Sequence, residues 1–245
     1  MKHFLSLLAA LSVTVLSAQY TPLFHDDLSF YLNFENGKTA AISNGDANAK
    51  DQYGTIKFEN GLSGNAFYCG SDGGHLRYST EDNIDFDNPG TIVVFFKGIN
   101  WHQEKNFSRL MLWGIESSKG YIGVQGANDP KNICTCERPF HLMILYGKRI
   151  PDRTYELRVT QKRDCNAWNM LAFSWAGDKV YMKYNKEPMK EFAHPMGLKN
   201  DDFPFKQFSV GRHTQWKYLL DEFMVYSRKL SDDELNQIYD SLIKK

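Results

Sequence analysis

The sequence predicts an all-β sandwich of two antiparallel sheets with a short helix at the C-terminus. Residues 217–226 have the pattern of a strand with apolar side chains on both faces, and a helix-start signal follows directly. A strand of this kind is typical of the interior of a stack that is covered on both sides. The chain also holds 17 Phe, 13 Tyr and 5 Trp in 245 residues, a composition that favours strands.

The closing strand and its helix can be placed residue by residue. Alternation puts one set of side chains on one face, namely Leu219, Asp221, Phe223 and Val225. The opposite face then carries Leu220, Glu222, Met224 and Tyr226. Ser231 and Glu234 form a capping box, which predicts that a helix begins here. Its apolar stripe consists of Leu235, Ile238, Tyr239 and Leu242.

Shorter strand patterns precede this segment along the chain. They cover residues 28–34, 54–58, 64–69, 75–78, 91–97, 109–115, 120–125 and 207–212. Two hairpins are predicted, one from residues 140–146 and 154–161 and one from residues 168–176 and 179–185. Gly177 and Asp178 suit the tight turn of the second hairpin. The acidic residues 81–87 are interpreted as a solvated turn.

Two segments resemble bacterial LamG-like domains, which have the concanavalin A-like jelly-roll fold. Residues 220–235 match the closing pattern (L/I)-D-E-(V/F)-x-(V/I)-Y-x-R-x-L-S-x-x-E-(L/I) at every fixed position. Residues 168–177 are similar to the family segment W-x-x-L-A-(F/V)-x-(W/Y)-x-G, although Met170 stands where many relatives have His. The resemblance spans residues 28–242 and implies a jelly roll. It implies less about function, since this fold hosts lectins, adhesion modules, hydrolases and lyases.

The first 18 residues predict a secretory signal peptide, which leaves one domain over residues 19–245. Lys2 and His3 precede an apolar run over residues 4–16, and Ser17 and Ala18 form a small-residue cleavage site. A transmembrane anchor is the alternative, but about 20 apolar residues are needed to span a bilayer. We therefore expect a secreted or periplasmic protein without a membrane-inserted segment.

The four cysteines of an exported chain predict disulfides. In the first predicted hairpin, the sequence numbers of two residues that face each other add up to about 300. Cys136 and Cys165 fit this sum, which favours a disulfide bond between them across the open end of the hairpin. A bond between Cys69 and Cys134 then follows by elimination. Zinc binding is the alternative, although a single Cys-x-Cys with two distant cysteines lacks the usual ligand spacing.

The balance of charges and the lack of known catalytic motifs argue against several classes of function. Lys plus Arg equals Asp plus Glu at 29 each, so no bulk charge favours nucleic acid. The E-x-D-x-(x)-E strand of jelly-roll glucanases is missing, as are H-E-x-x-H and G-x-S-x-G. Residues 155–158 and 181–184 resemble two strands of jelly-roll alginate lyases, but the Gln-x-His strand between them is missing. A lyase or hydrolase with an unfamiliar active site is the alternative function.

The resemblance also implies a structural Ca²⁺ at the rim of the sandwich. Calcium takes six to eight oxygen ligands, which a loop rich in Asp and Asn supplies. We expect Asp221 as a ligand because an inward-facing carboxylate needs a partner, and Glu35 and Asp46 to converge on it. The alternative is that Asp221 accepts backbone N–H bonds and the loop acids are solvated.

Glycan binding is the leading functional hypothesis. Sugars pack their C–H faces on aromatic rings while their hydroxyls bond to polar groups. Trp101 with His102, and Trp216 with Arg212 and His213, lie in predicted loops and are expected to bind the ligand. In the alternative interpretation, these aromatic side chains fold back over the core and do not bind a ligand. The sequence thus predicts a non-catalytic carbohydrate-binding or adhesion module, with a structural cell-surface domain that binds a protein partner as a third possibility.

Overall fold

The computed structural model of this chain describes residues 20–99, 111–116, 120–126, 140–146, 154–159, 166–193, 197–212 and 217–243. The predicted all-β class is confirmed, with two antiparallel sheets and a C-terminal helix. The strands are β1 (Leu28–Leu32), β2 (Ile42–Ser43), β3 (Asp51–Gly54), β4 (Phe58–Asn60), β5 (Asn65–Cys69), β6 (Gly74–Ser79), β7 (Gly90–Gly98), β8 (Met111–Glu116), β9 (Gly120–Gly126), β10 (Phe140–Tyr146), β11 (Thr154–Val159), β12 (Asn169–Ala176), β13 (Lys179–Tyr184), β14 (Lys190–Ala193), β15 (Gln207–Val210) and β16 (Tyr218–Tyr226). Helix α1 is Asp232–Ile243, and 3-10 turns lie at His25–Asp27 and Asn200–Asp202.

The two sheets differ in size and in connectivity. The larger sheet has nine strands in the order β14-β13-β12-β7-β16-β1-β2, with β5 also paired to β16 and β4 paired to β5. The smaller sheet has seven strands in the order β11-β10-β9-β8-β15-β6-β3. Strand β16 pairs with β7, β1 and β5, so the closing strand predicted from the sequence lies inside the larger sheet.

Aromatic rings fill the space between the sheets. Phe30 of β1 packs edge-on against Tyr78 of β6, with ring centroids 5.1 Å apart, and against Phe208 of β15 at 5.2 Å. Phe223 of β16 stacks on Phe208 at 5.8 Å, so side chains from both sheets interdigitate. All four rings are buried. Burying one such side chain contributes about 2 kcal/mol, so this cluster is a main source of stability.

The helix covers the outer face of the larger sheet. Leu235, Ile238 and Leu242 pack in one cluster with Met224 and Tyr226 of β16. Because both of its faces are covered, every residue of β16 is buried, as its apolar pattern predicts. No helix among the described residues is long and apolar enough to cross a bilayer.

The helix begins at the predicted capping box. The Glu234 backbone N–H donates to Ser231 Oγ at 3.2 Å, and the Ser231 N–H donates to Glu234 Oε2 at 2.8 Å. The ammonium of Lys183, a buried residue of β13, is 2.8 Å from Asp232 Oδ1, which ties the first turn of the helix to the sheet. Local capping and a tertiary ion pair therefore fix the same helix end.

A β-bulge in the middle of β16 interrupts the alternation of side chains between the two faces that the sequence predicts. The register between β16 and β7 shifts between Asp221 and Met224, and Glu222 has a φ of 51°. The extra residue brings Leu220 and Phe223 onto the same inner face, although alternation places them on opposite faces. The apolar pattern did not reveal the bulge because both faces of this strand are apolar.

The predicted hairpins are confirmed. Strands β12 and β13 pair from Leu171–Tyr184 to Ala176–Lys179, and the turn of Gly177 and Asp178 joins them. Strands β10 and β11 pair with Phe140 opposite Val159, within one residue of the predicted register. The predicted strand over residues 54–58 is wrong, since β3 ends at Gly54 and β4 begins at Phe58. Strands β2 and β14 lie outside the predicted strand patterns.

Candidate functional site

Of the five predicted glycan-binding residues, Arg212 lies among the residues that the structure describes. Trp101, His102, His213 and Trp216 lie outside the described residues. Arg212 is exposed, and its backbone N–H donates to the Tyr218 hydroxyl at 2.8 Å. Tyr218 begins β16, so Arg212 lies at the end of the sandwich where that strand starts. The ligand-binding role of these five residues stays a prediction.

The cysteine predictions are partly corrected. Cys69 carries a free thiol in the structure, contrary to the pairing with Cys134 that was expected by elimination. Its side chain is buried in the inner core beside Gly211, whose hydrogen stands where a Cβ would lie 2.5 Å from the sulfur. Burial raises the pKa of this thiol, so it is inert at neutral pH. Cys134, Cys136 and Cys165 lie outside the described residues, and the bond between Cys136 and Cys165 stays a prediction.

The predicted calcium ligands are held by backbone N–H groups. Asp221 Oδ2 accepts from the N–H groups of Leu62 and Ser63 at 2.8 and 3.2 Å, and Oδ1 accepts from Glu222 at 2.9 Å. Glu35 Oε1 accepts from the Asn65 N–H at 2.5 Å. Two carboxylates thus hold the turn that joins β4 and β5. Burial raises the pKa of Asp221 to about 8 against the effect of those N–H bonds.

Asp46 lies apart from this turn. Its Oδ1 accepts from the Asn48 N–H at 2.9 Å, and its backbone carbonyl accepts from Asn83 Nδ2 at 3.1 Å. Within the described part of the chain, no three His, Cys, Asp or Glu side chains are grouped so that they could hold a metal ion. The structure therefore does not bring Glu35, Asp46 and Asp221 together, and calcium binding stays a prediction.

A large groove lies at the other end of the sandwich, where β16 ends. It has a volume of about 1280 Å³ and is lined by the end of β16, by the segment that follows β6 and by the 3-10 turn Asn200–Asp202. At 3.3 Å per residue, the nine residues of β16 separate this groove from the Arg212 end by roughly 25 Å. The two ends are therefore separate surfaces.

Buried aromatic rings form the floor of the groove. Phe86 packs between Trp175 and Phe203, with ring centroids 4.9 Å from each. The indole N–H of Trp175 donates to the backbone carbonyls of Asn88 at 2.7 Å and Asp85 at 3.2 Å. The indole is the last large side chain of β12, and it fixes the backbone of the loop that leads into β7. The floor is therefore attached directly to the inner core.

Side-chain amides and carboxylates form the upper wall. Asn200 Nδ2 donates to Asp85 Oδ1 at 2.8 Å and to Asp87 Oδ2 at 2.9 Å, while its Oδ1 accepts from the Phe86 N–H at 2.8 Å. Asn88 Nδ2 donates to Asp85 Oδ2 at 2.7 Å. This bond from Asn88 lowers the pKa of Asp85 most, so its carboxyl stays ionised at neutral pH. The wall side chains thus hold one another in place.

The buried side chain of Asn83 joins a neighbouring loop to the groove. Its Oδ1 accepts from Ser43 Oγ at 2.9 Å and from the Gly45 N–H at 3.0 Å. Its Nδ2 donates to the carbonyls of Asp46 and Ser79, both at 3.1 Å. Because the amide uses both its donor and its acceptor, a substitution here leaves buried backbone groups unpaired.

One turn beside the groove carries an exposed aromatic ring at its tip. The Lys206 N–H donates to the Phe203 carbonyl at 3.0 Å, which closes a turn over residues 203–206. Pro204 and Lys206 both line the groove, and Phe205 between them is 59% exposed. The Lys206 carbonyl accepts from the Thr80 N–H at 2.9 Å, so the turn is joined to the segment that follows β6. An exposed ring on a fixed turn is not explained by packing.

The sequence interpretation missed this groove. The prediction that residues 81–87 form a solvated turn gives no sign of a groove, and no predicted strand or motif includes Phe205. One local signal was available: Pro204 is a typical second residue of a turn, and it places the next side chain at the tip. The pairing of residues 80–89 with residues 200–206 comes from long-range contacts, which no local pattern shows.

Comparison with known proteins identifies the fold alone. No protein-family model and no curated protein sequence matches this chain, so the LamG resemblance is not confirmed. Domain 4 of AbnA, an extracellular arabinanase from Geobacillus stearothermophilus solved in complex with arabinotriose, matches with a TM-score of 0.63 and 16% identity. That match covers 87% of this chain and 98% of the arabinanase domain.

Toxin binding domains match in the same way. The botulinum neurotoxin serotype D binding domain has a TM-score of 0.63 and 13% identity over 88% of this chain. The binding domain of botulinum neurotoxin DC, solved in complex with SialylT, has a TM-score of 0.66 and 11% identity over 89% of this chain. This chain spans about half of each toxin domain, 51% and 52%. These neighbours are β-sandwich binding domains, in agreement with the fold described above.

Proposed function

We propose that this protein is an exported, non-catalytic carbohydrate-binding or adhesion module whose saccharide site is the groove at the end of β16. The observation that carries the proposal is the groove with its carboxylate and amide walls, next to which the turn between the lining residues Pro204 and Lys206 carries the exposed ring of Phe205. A sugar needs both features, because its C–H face packs on a ring while its hydroxyls bond to polar groups. The saccharide complexes of two structural neighbours support the same class of ligand.

The walls of the groove are suited to binding because they are organised in advance. Asp85, Asn88 and Asn200 hold one another in place, and Trp175 holds the backbone below them. A ligand therefore does not have to order these side chains, which reduces the entropic cost of binding. Secretion through residues 1–18 and a structural Ca²⁺, both predicted from the sequence, are part of the proposal.

A glycan array of the mature protein, with and without calcium, tests the proposal. We expect binding, and we expect Phe205→Ala to lower the affinity about tenfold, since a lost ring contact is worth about 1.4 kcal/mol. Tyr53→Ala is the matched control, because Tyr53 is also exposed, at 44%, but lies on β3 of the smaller sheet. No binding to any glycan in either condition contradicts the proposed function.

The same array separates the two ends of the sandwich. Trp101→Ala and Trp216→Ala test the site predicted from the sequence, which also includes Arg212. If these variants lose binding while Phe205→Ala retains it, the saccharide site lies at the Arg212 end and the groove is not involved. Turnover of a bound oligosaccharide would instead indicate the lyase or hydrolase alternative.

A further inference from the structure

The tetrapeptide Phe-Glu-Asn-Gly occurs twice in the chain, at residues 34–37 and at residues 58–61. A further Asn–Gly pair is formed by Asn44 and Gly45. Asparagine before glycine is prone to spontaneous deamidation, because glycine has no Cβ to hinder attack by its backbone nitrogen on the asparagine side chain. Since two of the sites have the same local sequence, a difference between their reaction rates reports a difference in structure.

Deamidation needs only the chain itself and water. The deprotonated glycine nitrogen attacks the side-chain carbonyl carbon of asparagine, a new C–N bond forms, and the bond to the side-chain nitrogen breaks as ammonia leaves. Water then opens the cyclic imide to aspartate or isoaspartate. Before the attack, the glycine N–H has to leave its hydrogen bond and the peptide has to rotate. The fold therefore controls the rate through local opening.

The Asn44–Gly45 pair is held by contacts from a distant part of the chain. The Gly45 N–H donates to Asn83 Oδ1 at 3.0 Å, and Asn83 is completely buried. A Cβ on Gly45 would collide with the carbonyl oxygen of Glu81, so this backbone has no room to rotate. Release of the Gly45 nitrogen requires the separation of two packed segments, which protects Asn44.

The Asn60–Gly61 pair is held in a similar way. The Gly61 N–H donates to the Gly64 carbonyl at 2.7 Å, which closes the turn between β4 and β5. Asp221 Oδ2 accepts from the two N–H groups that follow Gly61, at 2.8 and 3.2 Å. A Cβ on Gly61 would collide with that carboxylate and with the backbone of Asn65. A buried side chain of β16 thus fixes this copy of the tetrapeptide.

The Asn36–Gly37 pair is the open copy. Asn36 is exposed, and the Gly37 N–H donates at 3.0 Å to the carbonyl of Phe34, which belongs to the same turn. The nearest atom to a Cβ placed on Gly37 is Phe58 Cε2 at 3.9 Å, an ordinary contact distance. Opening here breaks a bond within one exposed turn and leaves the packing of other segments intact.

We propose that Asn36 is a site of spontaneous deamidation in the folded protein, and that the fold protects Asn44 and Asn60 from the same reaction. The product carries a new carboxylate next to Glu35, whose Oε1 accepts from the Asn65 N–H. Asn44 lines the groove at the end of β16, so its protection keeps a further charge out of that surface. The inference does not depend on the proposed function.

Peptide mapping by mass spectrometry tests the inference. The mature protein is incubated in mildly alkaline buffer, and a second sample is incubated in enough urea to unfold it. In buffer we expect Asn36 to deamidate about tenfold faster than Asn44 and Asn60, because only its turn opens locally. In urea the rates at Asn36 and Asn60 should converge, because their local sequences are identical.

Two variants assign the rates to the named contacts. Asn83→Ala removes the acceptor of the Gly45 N–H, so we expect the deamidation of Asn44 to become severalfold faster while that of Asn36 is unchanged. Asn36→Gln keeps the amide but requires a larger ring for the attack, so it should abolish the modification at residue 36. This second variant leaves the other two sites as internal controls even if Asn83→Ala does not fold.

The comparison of the two copies decides the outcome. Equal rates at Asn36 and Asn60 in buffer would overturn the inference, because the fold would then not distinguish the two tetrapeptides. A reaction at Asn36 in urea but not in buffer would also overturn it, since the exposed turn would then be protective. If Asn44 reacts as fast as Asn36 in buffer, the protection by Asn83 is wrong.

Discussion

The two ends of β16 close the sandwich in different ways. At the start of the strand, the hydroxyl of Tyr218 and the thiol of Cys69 are buried, and the Arg212 N–H donates inward to that hydroxyl. At its end, the indole of Trp175 donates to loop carbonyls, and carboxylates such as Asp82 remain at the surface above it. The Tyr218 hydroxyl and the Cys69 thiol thus face the interior, whereas the carboxylate of Asp82 faces solvent.

This difference shows where a ligand can bind without disturbing the fold. At the Tyr218 end, the Tyr218 hydroxyl and the Cys69 thiol are buried, so a ligand that contacted them would have to replace internal bonds. At the groove, the inner layer bonds to the backbone and the outer layer faces solvent, so the fold does not depend on the exposed carboxylates. Stability and recognition are thus assigned to separate residues, which makes the comparison testable by substitution.

The largest expected effect concerns the bulge between the two ends. Burial raises the pKa of Asp221 from 3.8 to about 8, so the folded protein retains a proton that the unfolded chain has already lost. Stability therefore decreases as the pH rises from about 4 to about 8, on the order of 4 kcal/mol from this group alone. Urea unfolding at about pH 5 and pH 8.5 measures the decrease.

Asp221→Asn is the comparison for that measurement, because the amide does not titrate. The variant loses one N–H bond at the bulge, so its stability is lower at pH 5 than that of the parent. Its stability should nevertheless change less between the two pH values. An equal decrease in both proteins would mean that the charge of Asp221 does not control the pH dependence.

A glycine at the Tyr218 end gives the next largest effect. Gly211 has a φ of 72°, and a Cβ there would lie 2.5 Å from Cys69 Sγ, so Gly211→Ala combines backbone strain with overpacking. We expect a loss of about 3 kcal/mol in the free energy of unfolding. Saccharide affinity of the folded protein should be unchanged, because the groove lies at the other end. A large loss of affinity would place the ligand near Arg212.

Substitution of a glycine at the groove end should lower both the stability and the saccharide affinity. A Cβ on Gly90 would lie 2.2 Å from Trp175 Cζ2, so Gly90→Ala must displace the indole that holds the loop carbonyls. We expect a loss of about 2 kcal/mol in the free energy of unfolding and severalfold weaker saccharide binding. Gly177→Ala is the control at the same end: its φ is 57° and nothing lies within 4 Å, so it costs about 1 kcal/mol without affecting binding.

The sequence predicted the fold better than the site for a physical reason. The capping box of Ser231 and Glu234 is local, and so is the turn of Gly177 and Asp178, so both could be predicted from a few adjacent residues. The bulge at Glu222 depends on a backbone angle that no side-chain pattern fixes when both faces are apolar. The groove depends on the bond between Thr80 and Lys206, which are far apart in the chain.

The smallest expected effect concerns an ion pair close to the groove. Glu234 accepts two bonds from the Arg228 guanidinium, at 2.8 and 3.1 Å, and these bonds lower its pKa to about 2. Because the pKa of Glu234 is lowered, the ion pair contributes its full stabilisation of the fold above about pH 4.5. This contribution is lost as the pH falls towards 2. Because the glutamate side chain is 23% exposed, we expect Glu234→Gln to cost only about 1 kcal/mol at pH 7, measured by urea unfolding.

The pH dependence and a second pair make that last prediction specific. At about pH 2.5 the cost of Glu234→Gln should nearly disappear, and an equal cost at both pH values would point to the cap geometry as its cause instead of the charge. Glu81→Gln is the control, since its pair with Lys206 is exposed on both sides, and it should change stability by less than about 0.5 kcal/mol. Glu81 lines the groove and Glu234 does not, so Glu81→Gln should weaken saccharide binding while Glu234→Gln leaves it unchanged. The ion pair that stabilises the fold and the ion pair that faces the ligand are thereby separated at the same end of the sandwich.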